Sequence, residues 1–168
     1  MRHLKIITLC IAAALALGLA GCSHKPLYGR DASGNSVASA LGEVAIDDQK
    51  TRAGQLLRNE LISSFGGGGS ASRYVLKMDV TEKTQSVSSV AFERTKRLRY
   101  RLSTKYALLD ASGQALTEGR SFSAVPYDTI DEPVADIRAA ENARDRASRE
   151  LAQDIRLRIS AFLATGSN

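Results

Sequence analysis

Leu98, Tyr100, Leu102, Tyr106 and Leu108 hold every second position of one stretch, and Thr104 fills the single gap. Successive side chains of a strand leave on opposite sides, so this period of two predicts a β-strand with one buried face. Tyr74, Leu76, Met78 and Val80, alternating with Val75, Lys77, Asp79 and Thr81, predict another. LDASGQAL then supplies a hairpin turn around Asp110 to Gly113. It leads into a third strand of this meander over 115–127, bulged at Gly119, with Pro126 at its end or on an edge. LGEVAID (41–47) predicts a shorter first strand around Leu41, Val44 and Ile46, and polar loops fall within 81–97 and 119–131.

Elsewhere the apolar period changes to four. Ala53, Leu57, Leu61 and Phe65, with Leu56 beside them, predict a helix with one buried stripe, N-capped by Asp47 or Asp48 and closed by Gly66. Ala143, Ala147, Leu151, Ile155 and Ile159, ending with Phe162, predict a second helix. Its start carries acids and Pro133, and Asp145–Arg149 and Asp154–Arg158 are spaced for i, i+4 pairs on its outer face. The small alanines would let it lie close to a sheet. The order β-α-β-β-β-α, with a parallel pair across the first crossover, predicts an α+β fold. Two helices would cover one face of a four-stranded mixed sheet and leave the other face barer. The glycine run at 66–70 is a flexible loop, because no Lys-Ser or Lys-Thr follows it as a phosphate cradle requires.

The N-terminus changes the picture from a free domain to an exported one. A basic start, MRHLK, precedes fifteen apolar residues from Ile6 to Ala20, too few for a comfortable bilayer span. Leu19-Ala20-Gly21-Cys22 follows, in the pattern of a lipoprotein cleavage site. Residues 1–21 therefore read as a lipoprotein signal peptide. Cys22 reads as the attachment point of a diacylglycerol and an N-acyl chain, enough lipid for stable anchoring. Cys10 lies in the leader, so the mature chain keeps no partner for a disulfide. Ser23, where an Asp would favour inner-membrane retention, points to the outer membrane and its periplasmic side. Residues 22–40, rich in Ser, Gly and Ala, read as a lipidated flexible tether, and 41–168 as the folded domain.

The formal charge of +5 falls to +3 once Arg2 and Lys5 leave with the signal, so any strong positive field must be local. Alternation says where. With Leu98 to Leu108 facing the helices, Arg97, Arg99, Arg101 and Lys105 point the other way, and Arg94 and Lys96 continue the series into the preceding loop. These six residues are the candidate anion-binding set, since guanidinium groups pair bidentately with phosphate. Lys77 stands to join them and Asp79 to offset them, and Glu118 is the one acid within the third strand. A merely solvated strand face is the alternative. Export removes nucleic acid as a partner and leaves phosphorylated lipids as the abundant anions.

Catalytic chemistry finds little support. His3 leaves with the signal and His24 lies in the tether, so the domain has no imidazole base and no histidine ligand for a metal. Asp47-Asp48 and Asp131-Glu132 read as helix caps. The chain is expected to be no enzyme and to need no cofactor beyond its lipid.

CSHKPLYG, RAGQLLRNEL, YVLKMDV, YRLSTKYALLD and ARDRASRELAQDIRLRISAFL, in that order, resemble the LptE family of lipopolysaccharide-assembly lipoproteins. The resemblance covers nearly the whole mature chain and implies the same two-helix, four-stranded fold. It also implies a plug that forms a heterodimer with the outer-membrane β-barrel LptD, helps that barrel assemble, and assists insertion of lipopolysaccharide into the outer leaflet. Family members bind lipopolysaccharide through basic residues, which fits the candidate set in kind. Two other readings stand beside it: a lipid-anchored periplasmic adaptor for another anionic envelope polymer or protein, and a lipid-anchored glycan hydrolase using paired carboxylates.

Overall fold

In a computed structural model of the chain, which describes residues 36–67, 72–87 and 95–166, the strongest alternation becomes an inner strand of the sheet. The elements are α1 (Val37–Gly42), β1 (Val44–Ile46), α2 (Arg52–Phe65), β2 (Tyr74–Ser86), β3 (Lys96–Leu109), β4 (Ala115–Thr129) and α3 (Pro133–Gly166). They form the expected α+β fold. One mixed four-stranded sheet has the order β1-β2-β3-β4, with β1 parallel to β2 and the other pairs antiparallel. The predicted leader, Cys22, most of the predicted tether, Arg94 and part of the glycine run lie outside the described residues.

The core lies between the sheet and the two longer helices. Leu57, Leu61 and Phe65 of α2, Leu76 of β2, Leu102 and Leu108 of β3 and Leu151, Ile155 and Ile159 of α3 are buried together in one cluster. Each large aliphatic side chain buried in this way stabilises the fold by roughly 1.5–3 kcal/mol. Ala143 and Ala147 are fully buried, as a helix lying close to a sheet requires.

Several local expectations change. Residues 41–47 do not form a single strand: Ser36 caps a short helix, its Oγ accepting from Ser39 N–H at 3.1 Å, and only Val44–Ile46 pair with β2. Helix α1 thus draws the last residues of the predicted tether onto the core, where Val37, Ala40 and Leu41 pack. Thr51, not Asp47 or Asp48, caps α2 by accepting from Gly54 N–H at 3.1 Å, and Gly66 closes it in the left-handed region at φ 95°. The irregularity between β3 and β4 falls at Leu108/Leu109 rather than at Gly119. Gly119 serves another purpose: a Cβ there would run into the Tyr106 ring, which crosses its backbone. Of the two expected pairs on α3, Asp154–Arg158 forms at 2.8 Å and Asp145–Arg149 does not.

The predicted polar loops are mostly strand. β2 runs on to Ser86, β3 starts at Lys96 and β4 continues to Thr129. Alternation vanishes over 81–86 because both faces of β2 are solvated there, every residue from Thr81 to Val87 being exposed. The cause is helix length. At 1.5 Å per residue the 14 residues of α2 reach about 21 Å, less than half of the roughly 51 Å spanned by the 34 of α3. Helix α2 therefore covers only the Tyr74 end of the sheet. No helix among the described residues is long and apolar enough to cross a membrane.

Candidate anion-binding face

The bare face of the sheet is built from odd positions of β2 and β3 and even positions of β4, and the register sorts its charges into rows. Lys83 stands opposite Arg101, which stands opposite Ala124. The next row is Gln85, Arg99 and Pro126. Beyond it, Arg97 faces Asp128, with Nε donating to Oδ1 at 2.8 Å and Nη2 to Oδ2 at 3.2 Å. The hydrogen bonds from Arg97 hold the Asp128 carboxyl below its usual range, so this pair is ionised and closed on itself.

Toward the other end, Asp79, Lys105 and Arg120 form a row, followed by Lys77, Ala107 and Glu118. With Asp47 these side chains line a shallow depression of about 610 Å³ holding three basic and three acidic residues. Its charges offset one another. Uncompensated positive charge therefore concentrates at Lys83, Arg99 and Arg101. Like charges directly opposite each other in a sheet are destabilising, so an anion bound between Lys83 and Arg101 would relieve a cost that the fold itself does not need.

Phe122 stands beside this cluster, 57% exposed, unusual for a large aromatic. The Arg101 guanidinium lies over its ring at 3.9 Å from the centroid, and Arg101 Nε donates to Ser103 Oγ at 3.3 Å. The stack and the hydrogen bond fix Arg101 in place while its remaining donors stay available. The arrangement suits an anion attached to an apolar or ring-shaped body. It offers no nucleophile or acid–base pair.

The helix-facing side of the same region is closed by a polar cluster. Tyr100 Oη donates to Glu82 Oε2 at 2.6 Å, and Arg144 Nε lies 3.4 Å from that oxygen, an ion pair without hydrogen-bond geometry. Burial, reinforced by Glu82, raises the Tyr100 hydroxyl above its ordinary pKa, so it stays protonated and donating.

Of the six predicted residues, Arg97, Arg99, Arg101 and Lys105 share the bare face as alternation required. Arg94 lies outside the described residues. Lys96 has the opposite parity and pairs with Asp131 at 3.3 Å, so it leaves the ladder. The sequence pattern does not single out Lys83, whose stretch does not alternate, or Phe122, whose side chain carries no charge. Asp128 falls outside the predicted strand, which stops at 127, two residues short of the observed end at Thr129.

The chain is thus an α+β domain, a four-stranded mixed sheet with helices on one side and a charged open face on the other. A structure of a candidate lipoprotein from Caulobacter crescentus CB15 is similar, with 30% identity, a TM-score of 0.67, and coverage of 76% of this chain and 96% of that one. A minor lipoprotein from Acinetobacter baumannii shares the fold at 19% identity, a TM-score of 0.55, and coverage of 70% and 91%. Comparison with curated proteins gives no match. The family model for LptE, lipopolysaccharide-assembly, matches residues 41–159, and the chain belongs to that family. It is accordingly an outer-membrane lipoprotein of lipopolysaccharide assembly and not an enzyme.

Proposed function

We propose that the protein is held at the periplasmic side of the outer membrane by lipid on Cys22, with residues 1–21 removed and the segment after Cys22 acting as a tether. It plugs the LptD β-barrel in a heterodimer, helps that barrel assemble, and receives lipopolysaccharide phosphates on the Lys83–Arg99–Arg101 field. The observation that carries the ligand reading is that cluster, which has no acid in its rows and an exposed Phe122 at its side. The plug reading rests on family membership and on surface chemistry. Barrel lumens are polar, and the solvated end of β2 with the charged sheet face suits such surroundings.

Replacing Lys83, Arg99 and Arg101 together with Gln is expected to weaken lipopolysaccharide binding at least tenfold and to flatten its salt dependence. Unchanged binding would reduce the face to a solvated surface. Cys22→Ser is expected to abolish palmitate labelling; continued labelling would remove the anchor from this reading.

A further inference from the structure

The sheet has two outer edges, and the fold treats them differently. Along β4, Pro126 offers no N–H and its carbonyl accepts from Arg146 Nη2 at 3.2 Å. Along β2, the three residues of β1 end at Ile46, and the turn after them closes only the next two carbonyls. Asp47 N–H donates to Leu76 O at 3.0 Å, and Gln49 Nε2 donates to Met78 O at 3.3 Å. Gln49 is held there by close approach to Gly54, where a Cβ would sit 2.9 Å from the Gln49 Cβ.

Those two bonds fix direction. Even-numbered residues of β2 turn their backbone groups outward, whereas Val87 N–H turns inward to Arg97 O. Val80, Glu82 and Thr84 therefore present both N–H and C=O to the open edge, and no described residue bonds to them there. Charged side chains commonly guard such an edge. The Glu82 carboxylate does not, because it is drawn inward to Tyr100 and Arg144. What remains is about 17 Å of strand unpaired on its outer side: Val80 packs against the core, Thr81 to Thr84 are exposed, and Lys83 is the one charged side chain left on the bare face.

We propose that residues Val80–Thr84 form a docking edge for an extended peptide segment of the barrel partner, which adds to the sheet as a fifth strand. This rests on the plug reading above. Strands in a closed barrel wall have their backbone groups already paired, so the added segment comes from a loop that enters the lumen. Its recognition is mainly backbone to backbone. The excess of positive charge at Lys83, Arg99 and Arg101 favours an acidic side chain on the open-face side of the added strand, and polar residues elsewhere.

The outward N–H of Thr84 provides the test. Thr84→Pro removes that donor without touching the inward bonds to β3, as Pro on an edge strand is tolerated. Thr84→Ala keeps the donor. With the full-length lipoprotein and the barrel co-expressed, Thr84→Pro is expected to cut co-purification at least tenfold. Thr84→Ala should match wild type, and both should melt within a few degrees of it. Equal recovery of the barrel with Thr84→Pro overturns the edge and leaves the plug reading intact. Wild type that fails to bring down the barrel overturns the plug reading and, with it, this choice of partner. If Thr84→Pro unfolds alone, a photo-crosslinking residue at Thr84 decides. A crosslink to a barrel loop peptide supports the edge, and absence of any crosslink to the barrel overturns it.

Discussion

Tyr100 and Glu82 meet across β2 and β3, the phenol donating to the carboxylate at 2.6 Å while Tyr100 as a whole is only 4% exposed. This contact closes the sheet where α2 has already ended, and it does so with polar groups because α3 presents Arg144 to it there. Tyr100→Phe removes a hydrogen bond to a charged acceptor and should cost roughly 1.5–3 kcal/mol in chemical denaturation.

The same pair has a pH signature. Burial lifts the folded Tyr100 pKa above its unfolded value of 10.0, so the folded state holds this proton more tightly. The contribution is complete below about pH 10 and is lost as pH rises toward the folded value. Wild type should therefore lose more stability than Tyr100→Phe between about pH 9 and about pH 11. Parallel losses in melting experiments would show that Tyr100 is not linked to folding.

Gly119 and Tyr106 make a second dependent pair. Gly119→Ala places a methyl against the Tyr106 ring, and overpacking of this kind costs about 1–3 kcal/mol. In a Tyr106→Leu background the cost should shrink, and denaturant midpoints of the four proteins in the cycle measure the coupling. Additive effects would mean that the ring does not set the requirement for glycine.

Asp128 restrains the basic face. Asp128→Asn removes a carboxylate opposite Arg97 and is expected to tighten lipopolysaccharide binding several-fold, with a steeper fall in added salt. Stability should move by less than about 1 kcal/mol, since both partners are exposed. Titration at two ionic strengths checks both statements, and weaker binding would place the field elsewhere.

Much of this protein was legible as periodicity. The odd–even split of β3 alone assigns Tyr100 and Leu102 to the core and Arg99 and Arg101 to the bare face, because a strand has only two sides. The four-residue repeat of α3 likewise named Leu151, Ile155 and Ile159 as core. The reading broke down where a strand is wet on both faces. Residues 81–86 carry no alternation and read as loop, so neither Lys83 nor the open edge shows in the pattern.

Local periodicity alone set the order of the four strands and the two longer helices, the buried stripes and the side of the sheet on which the arginines stand, since these follow from local geometry and burial; the short helix α1 left no such mark. Which charges survive uncompensated depends on the folded sheet. Register brought Asp128 to Arg97 and set Asp79 and Glu118 among Lys77, Lys105 and Arg120, leaving Lys83, Arg99 and Arg101 beside Phe122. Cross-strand neighbours are far apart along the chain, and no local pattern records which residue will stand opposite which.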